Sequence, residues 1–115
     1  MSDAVIDVGP VPPPVAPGLE VSAAIDGPHL VIALHGEIDT SNVDAFHAAL
    51  CGMVRHDSSI RVDLSRVTFL DSSLLRALLA SQAQFARAGV DFKVRNPTQQ
   101  ARRIFEVTNL SSLLD

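Results

Sequence analysis

An α/β domain built on a mixed sheet is predicted by three features of the sequence. Two runs that alternate apolar and polar residues flank a turn signal near the start; two later strand-like runs alternate with helix-like ones; and those helix-like runs are long enough to serve as crossovers between parallel strands. The expectation is a mixed four- to five-stranded sheet packed with about four helices, in a single domain. The 115 residues, 47% hydrophobic and 19% charged, suit one core of that size.

The opening segment, residues 1–18, carries the core PVPPPVAP. Consecutive prolines fix φ and remove hydrogen-bond donors, so this segment reads as a Pro-rich flexible tail, with the folded domain over 19–115. A docking peptide for an aromatic groove is the other use of such a run.

From Leu19 the pattern is regular. LEVSAAI and HLVIALHG flank Asp26, Gly27 and Pro28, as expected of a hairpin. Residues 40–56 place Val43, Phe46, Leu50, Met53 and Val54 at helical spacing, and Ser41 with Asp44 resembles a capping box. SIRVDLSRV alternates Ile60, Val62 and Leu64 with Arg61, Asp63 and Ser65, which is strand periodicity with one buried and one polar face. Residues 73–88 set Leu74, Leu75, Leu78, Leu79 and Phe85 on a wide apolar stripe that Gly89 is placed to end. VDFKVRN supplies a further strand. TQQARRIFEVTN is a helix closed by Asn109 in the left-handed conformation, and LSSLLD is a final turn or short helix.

Several function classes find little support in these residues. A net charge of −4 argues against a broad nucleic-acid footprint. No apolar run approaches the roughly 20 residues of a membrane span, so a cytoplasmic protein without membrane contact is expected. The lone Cys51 allows no disulfide within the chain. His47 and Cys51 share a helix face with His56 nearby, but two or three such residues without an acidic partner make no familiar metal pattern. Neither GxxxxGK nor GxGxxG occurs to cradle a nucleotide, and LDSSLL lacks the glycines of a serine nucleophile elbow. A phosphorelay receiver would need an acidic cluster after its first strand, and the hairpin start fits that poorly. No cofactor, no metal and no enzymatic activity are therefore expected.

The stretch VTFLDSSLLRALLA remains. Asp71, Ser72 and Ser73 stand where a helix starts, and capping accounts for them locally. A hydroxyl in a first helical turn is also exposed and able to carry a phosphate, whose charge of about −1.5 to −2 suits that end of a helix. Such a charge against a like charge about 4 Å away costs about 1 to 4 kcal/mol, enough to release a partner without unfolding anything.

Read together, LHGEID, IRVDLSRVTFLDSS and VRNPTQQARRIFEVTNLSSLL resemble, in order and spacing, a STAS domain of the bacterial anti-sigma factor antagonist type, over residues 19–115. That resemblance implies a non-enzymatic partner-switching regulator of transcription, as in stress responses. Its unphosphorylated form would bind an anti-sigma factor that is also a serine kinase, freeing the sigma factor. Phosphorylation of Ser72 would reverse the binding, and a serine phosphatase would restore it. By the same resemblance Asp39 lies beside the acceptor and helps docking or phosphotransfer, and Gly36 permits the tight turn of that loop. Asp71 borders the acceptor, Ser73 is a second hydroxyl that need not be modified, and Leu74 and Leu75 join the partner-binding surface.

One position departs from the pattern. The family usually follows DSS with glycine, which lets a partner backbone approach, and here Leu74 adds bulk beside the acceptor. That change would alter kinase choice, weaken phosphorylation, or mark a STAS scaffold or ligand-sensing module that binds without being switched.

Overall fold

The computed structural model describes residues 5–10, 18–53 and 59–115. Its elements are β1 (Val5–Pro10), β2 (Leu19–Asp26), β3 (His29–Ile38), α1 (Val43–Met53), β4 (Ser59–Leu70), α2 (Ser72–Arg87), β5 (Asp91–Arg95), α3 (Gln99–Val107) and a final 3₁₀ turn, Ser111–Leu113. The five strands lie in sequence order across one sheet. The pairings β1–β2 and β2–β3 are antiparallel, whereas β3–β4 and β4–β5 are parallel and are bridged by α1 and α2.

Three expectations change. Residues 5–10, read from sequence as part of the tail, pair with β2 as an edge strand. Val5, Ile6 and Val8 favour extended backbone ahead of the prolines, and an edge strand tolerates Pro10 because proline, which has no N–H, can stand where no ladder bond is demanded of it. The proline-rich core over 11–17 lies outside the described residues, as do Val54 and His56. Among the described residues the helices number three, because the few residues after Asn109 (φ 63°) suffice only for one 3₁₀ turn anchored by buried Leu113.

The third change concerns Gly36. It lies inside β3, opposite Leu19 and Val67, and makes no turn in the loop beyond. Its φ is 120°, and a Cβ there would stand 2.2 Å from the Gly18 carbonyl oxygen. That carbonyl accepts a hydrogen bond from the Glu37 N–H at 3.0 Å. Glycine is needed because another backbone occupies the space a side chain would take. The β3–β4 register shifts between Gly36 and Glu37, as at a bulge, and resumes with Glu37 opposite Phe69 and Ile38 opposite Leu70.

One face of the sheet is apolar because the strands keep period two in register. Ala23, Ile32, Val62 and Val94 are successive cross-strand neighbours, and all are buried. Phe46 and Leu50 of α1, Leu74, Leu78 and Phe85 of α2, and Ala101 and Phe105 of α3 join them in one core. Thr98 caps α3 by accepting from the Ala101 N–H at 3.1 Å.

On the opposite face the expected polar residue Arg61 is nevertheless buried, at 6% exposure. Its guanidinium reaches Asp91 Oδ2 at 3.0 Å, Asp115 Oδ2 at 3.1 Å and the Ile60 carbonyl at 3.1 Å. Arg95 joins Asp26 at 3.1 Å. A buried charge needs such partners, and these tie the end of the chain to the start of β4.

Gly36→Ala is expected to cost more than about 1 kcal/mol, since the new methyl displaces the Gly18 carbonyl and the positive φ disfavours alanine. Urea unfolding checks this, and an unchanged midpoint would remove the close approach from the account.

Candidate functional site

Because Ile38 pairs with Leu70, Asp39 and Asp71 leave neighbouring parallel strands at the same level, and α1 and α2 begin side by side. Each helix start is then locked by an aspartate.

At the first, Asp39 Oδ1 accepts from the Ser41 N–H at 2.8 Å and from the Ser41 hydroxyl at 2.5 Å. The Ser41 hydroxyl, followed by its backbone N–H, holds the Asp39 carboxyl below its ordinary pKa. Asn42, only 4% exposed, accepts from the Asp39 N–H at 3.0 Å and donates its amide to the Glu37 carbonyl at 2.9 Å. The capping box expected of Ser41 and Asp44 does not form, because Asp39 captures the Ser41 hydroxyl in a local turn of its own.

At the second, Asp71 is the N-cap of α2 with extended backbone. Its Oδ1 accepts from the Ser73 N–H at 2.9 Å and also from the Ser73 hydroxyl. Ser73 is buried and its hydroxyl is spent on the cap. Ser72 faces solvent, and the one side-chain contact of its hydroxyl among the described residues is Arg76 Nη1, at 3.5 Å. The two serines, which only the family resemblance distinguished in the sequence, are thereby separated into one structural and one available hydroxyl.

Leu74 and Leu75, expected on the partner-binding surface, are instead in the core, at 0% and 4% exposure. With α2 starting at Ser72, positions 74, 75 and 78 fall on the stripe that faces the sheet, whereas Leu79, expected on that stripe, lies past its edge and is 39% exposed. The bulk of Leu74 therefore points away from the hydroxyl it follows. Gly36 acts through the strand register and Asp71 through the cap, while Asp39 stands at the neighbouring helix start.

Three features escaped the sequence reading. Phe69 is 45% exposed at the end of β4, three residues before Ser72. Arg76 lies one helical turn beyond it. A groove of about 390 Å³ runs between the two helices, with Thr40, Asp44 and His47 on one wall and Ser73, Arg76 and Ala77 on the other. Spacing alone could have put Arg76 on the Ser72 face, but only the strand pairing brings α1 alongside.

Elsewhere the chemistry is sparse. His47 Nε2 lies 3.8 Å from Cys51 Sγ, and no group of three or more potential metal ligands occurs among the described residues. His29 meets Ser59 at 2.5 Å at the other end of β4 from Ser72. No helix among the described residues is long and apolar enough to cross a membrane.

Residues 21–115 match the family model described as Mlab, STAS domain. The chain belongs to the STAS-domain family. This STAS domain is 23% identical over 84 residues to the anti-sigma-B factor antagonist of Bacillus subtilis (strain 168), covering 73% of the chain and 77% of that relative. It superposes on an anti-sigma factor antagonist from Mycobacterium paratuberculosis with a TM-score of 0.73, at 28% identity and 86% coverage of each chain. The anti-sigma factor antagonist SpoIIAA shares the fold in its unphosphorylated form, with a TM-score of 0.65 and 23% identity over 76% of this chain and 77% of that one. Its phosphorylated form, from Bacillus, gives 0.62 and 22% over 83% and 88%.

The burial assignments predict a contrast within this STAS domain. Leu74→Ala is expected to cost about 2–5 kcal/mol and Ser72→Ala less than about 0.5 kcal/mol, measured by urea denaturation. Equal losses would contradict the separation of core from surface at the start of α2.

Proposed function

We propose that this STAS domain is an anti-sigma factor antagonist switched by phosphorylation of Ser72. The observation that carries the reading is the division of labour in the DSS turn: Asp71 and Ser73 satisfy each other, leaving Ser72 exposed on a formed helix start. The relatives' names support the class, and a protein of the same fold exists in unphosphorylated and phosphorylated forms.

In this mechanism the chain itself is a substrate and binding module, and a cytoplasmic serine-kinase anti-sigma factor supplies ATP and the catalytic groups. The Ser72 Oγ forms a bond to the γ-phosphorus as the bond to ADP breaks, and the hydroxyl proton passes to a base of the kinase. Asp39, ionised through its Ser41 hydrogen bonds, stands at the adjacent helix start as a polar docking point. Phe69 supplies an apolar one. Docking before modification frees the sigma factor. Afterwards the phosphate, at about −1.5 to −2, confronts any anionic or poorly hydrated partner surface at a cost of about 1 to 4 kcal/mol, and the complex dissociates until a phosphatase removes the group.

The test uses serine-kinase anti-sigma factors from the same genome with ATP, followed by peptide mass spectrometry. Phosphate on Ser72, lost in Ser72→Ala, is expected, and a kinase active on another antagonist that leaves Ser72 unmodified would overturn the switch. By calorimetry Ser72→Asp should weaken kinase binding about tenfold or more while Ser72→Ala preserves it. Equal affinities would remove the electrostatic mechanism.

A further inference from the structure

Given Ser72 as the acceptor, we propose that Arg76 is the internal partner of the Ser72 phosphate, holding it on its own helix at the mouth of the groove between α1 and α2. The two residues are four apart on α2, a spacing that places side chains on one face. Arg76 Nη1 already lies 3.5 Å from the Ser72 Oγ, at the outer limit of a hydrogen bond. A phosphate extends that oxygen by three acceptor oxygens, which match the planar fork of a guanidinium.

Arg76 is also uncommitted. Arg61 and Arg95 are held by carboxylates, whereas Arg76 forms no ion pair among the described residues. The carboxylates around it do not take that role: Asp71 is bound to Ser73, Asp39 to Ser41, and Asp44 lines the far wall of the groove beside His47. The first turn of α2 contains no acidic residue to compete for it.

This pairing changes what phosphorylation does to the surface. The modification adds an anion and, by engaging Arg76, withdraws a cation from the wall of the groove. A partner whose carboxylate uses that cation loses an attraction as well as meeting a repulsion.

The experiment uses the full chain with phosphoserine incorporated genetically at position 72, so that it does not depend on any kinase. Titration followed by ³¹P NMR compares the unsubstituted chain with Arg76→Gln and Arg76→Lys. The second ionisation of phosphoserine, ordinarily near about 6, is expected to fall lower with Arg76 than with Gln by about 0.2 to 0.7, the equivalent of a surface ion pair, with Lys recovering part of the difference. Asp44 and His47, which line the groove with Arg76, Asp71, which precedes Ser72, and Asp39 at the neighbouring helix start are the same in every variant, so the comparison isolates residue 76. The difference should also shrink at high salt. Identical titrations would overturn the pairing while leaving Ser72 as the acceptor. A kinase that ignores Ser72 would overturn the acceptor without altering these curves.

Discussion

The close approach of Gly18 to Gly36 is the constraint on which the functional end of the molecule depends. A hydrogen bond from Glu37 to the Gly18 carbonyl occupies the space of a missing side chain, and the β3–β4 register shifts at that point. From there Ile38 and Leu70 end together, and so the next residues on each strand are aspartates at the same level. Two helices begin side by side as a result. Without that register, Asp39 and Asp71 would serve two separate turns, and the groove between α1 and α2 would lose its shape.

The rest of the fold keeps this end still. The sheet buries one apolar face against all three helices, and the far end is tied down by Arg61, whose charge is matched by Asp91 and Asp115. At the near end, Asn42 and Ser73 are polar groups taken out of water with their partners supplied, which fixes the helix starts at little cost. The exposed Ser72 hydroxyl is thus presented by a rigid surround. The proposed switch would need no conformational change: a repulsion of about 1 to 4 kcal/mol lowers affinity about tenfold to a thousandfold while acting outside the core.

Much of this was legible in the residues. Period-two runs marked four strands, helical spacing marked three helices, and the resemblance carried by LHGEID and DSS led to the family. What stayed hidden depended on long-range pairing. The strand at 5–10 exists because β2 offers an edge, which local composition beside a run of prolines does not reveal. Gly36 looked like a turn glycine because the carbonyl that requires it comes from eighteen residues earlier in the chain. Leu74 had two readings, on the apolar stripe by helical spacing and on the partner surface by resemblance, and the cap at Asp71 fixes the helix phase that turns it inward. The difference between Ser72 and Ser73 rests on one carboxylate accepting from the second of them.

On the proposed function, phosphate on Ser72 would sit on a preformed surface that does not rearrange. Backbone amide ¹⁵N–¹H spectra of the unmodified chain and of the chain phosphorylated at Ser72 test it most directly. The account predicts shifts confined to the two helix starts and the groove, around residues 39–47 and 69–77, with the core strands unmoved. Shifts spread through β2 and β5, or a loss of dispersed signals, would contradict it.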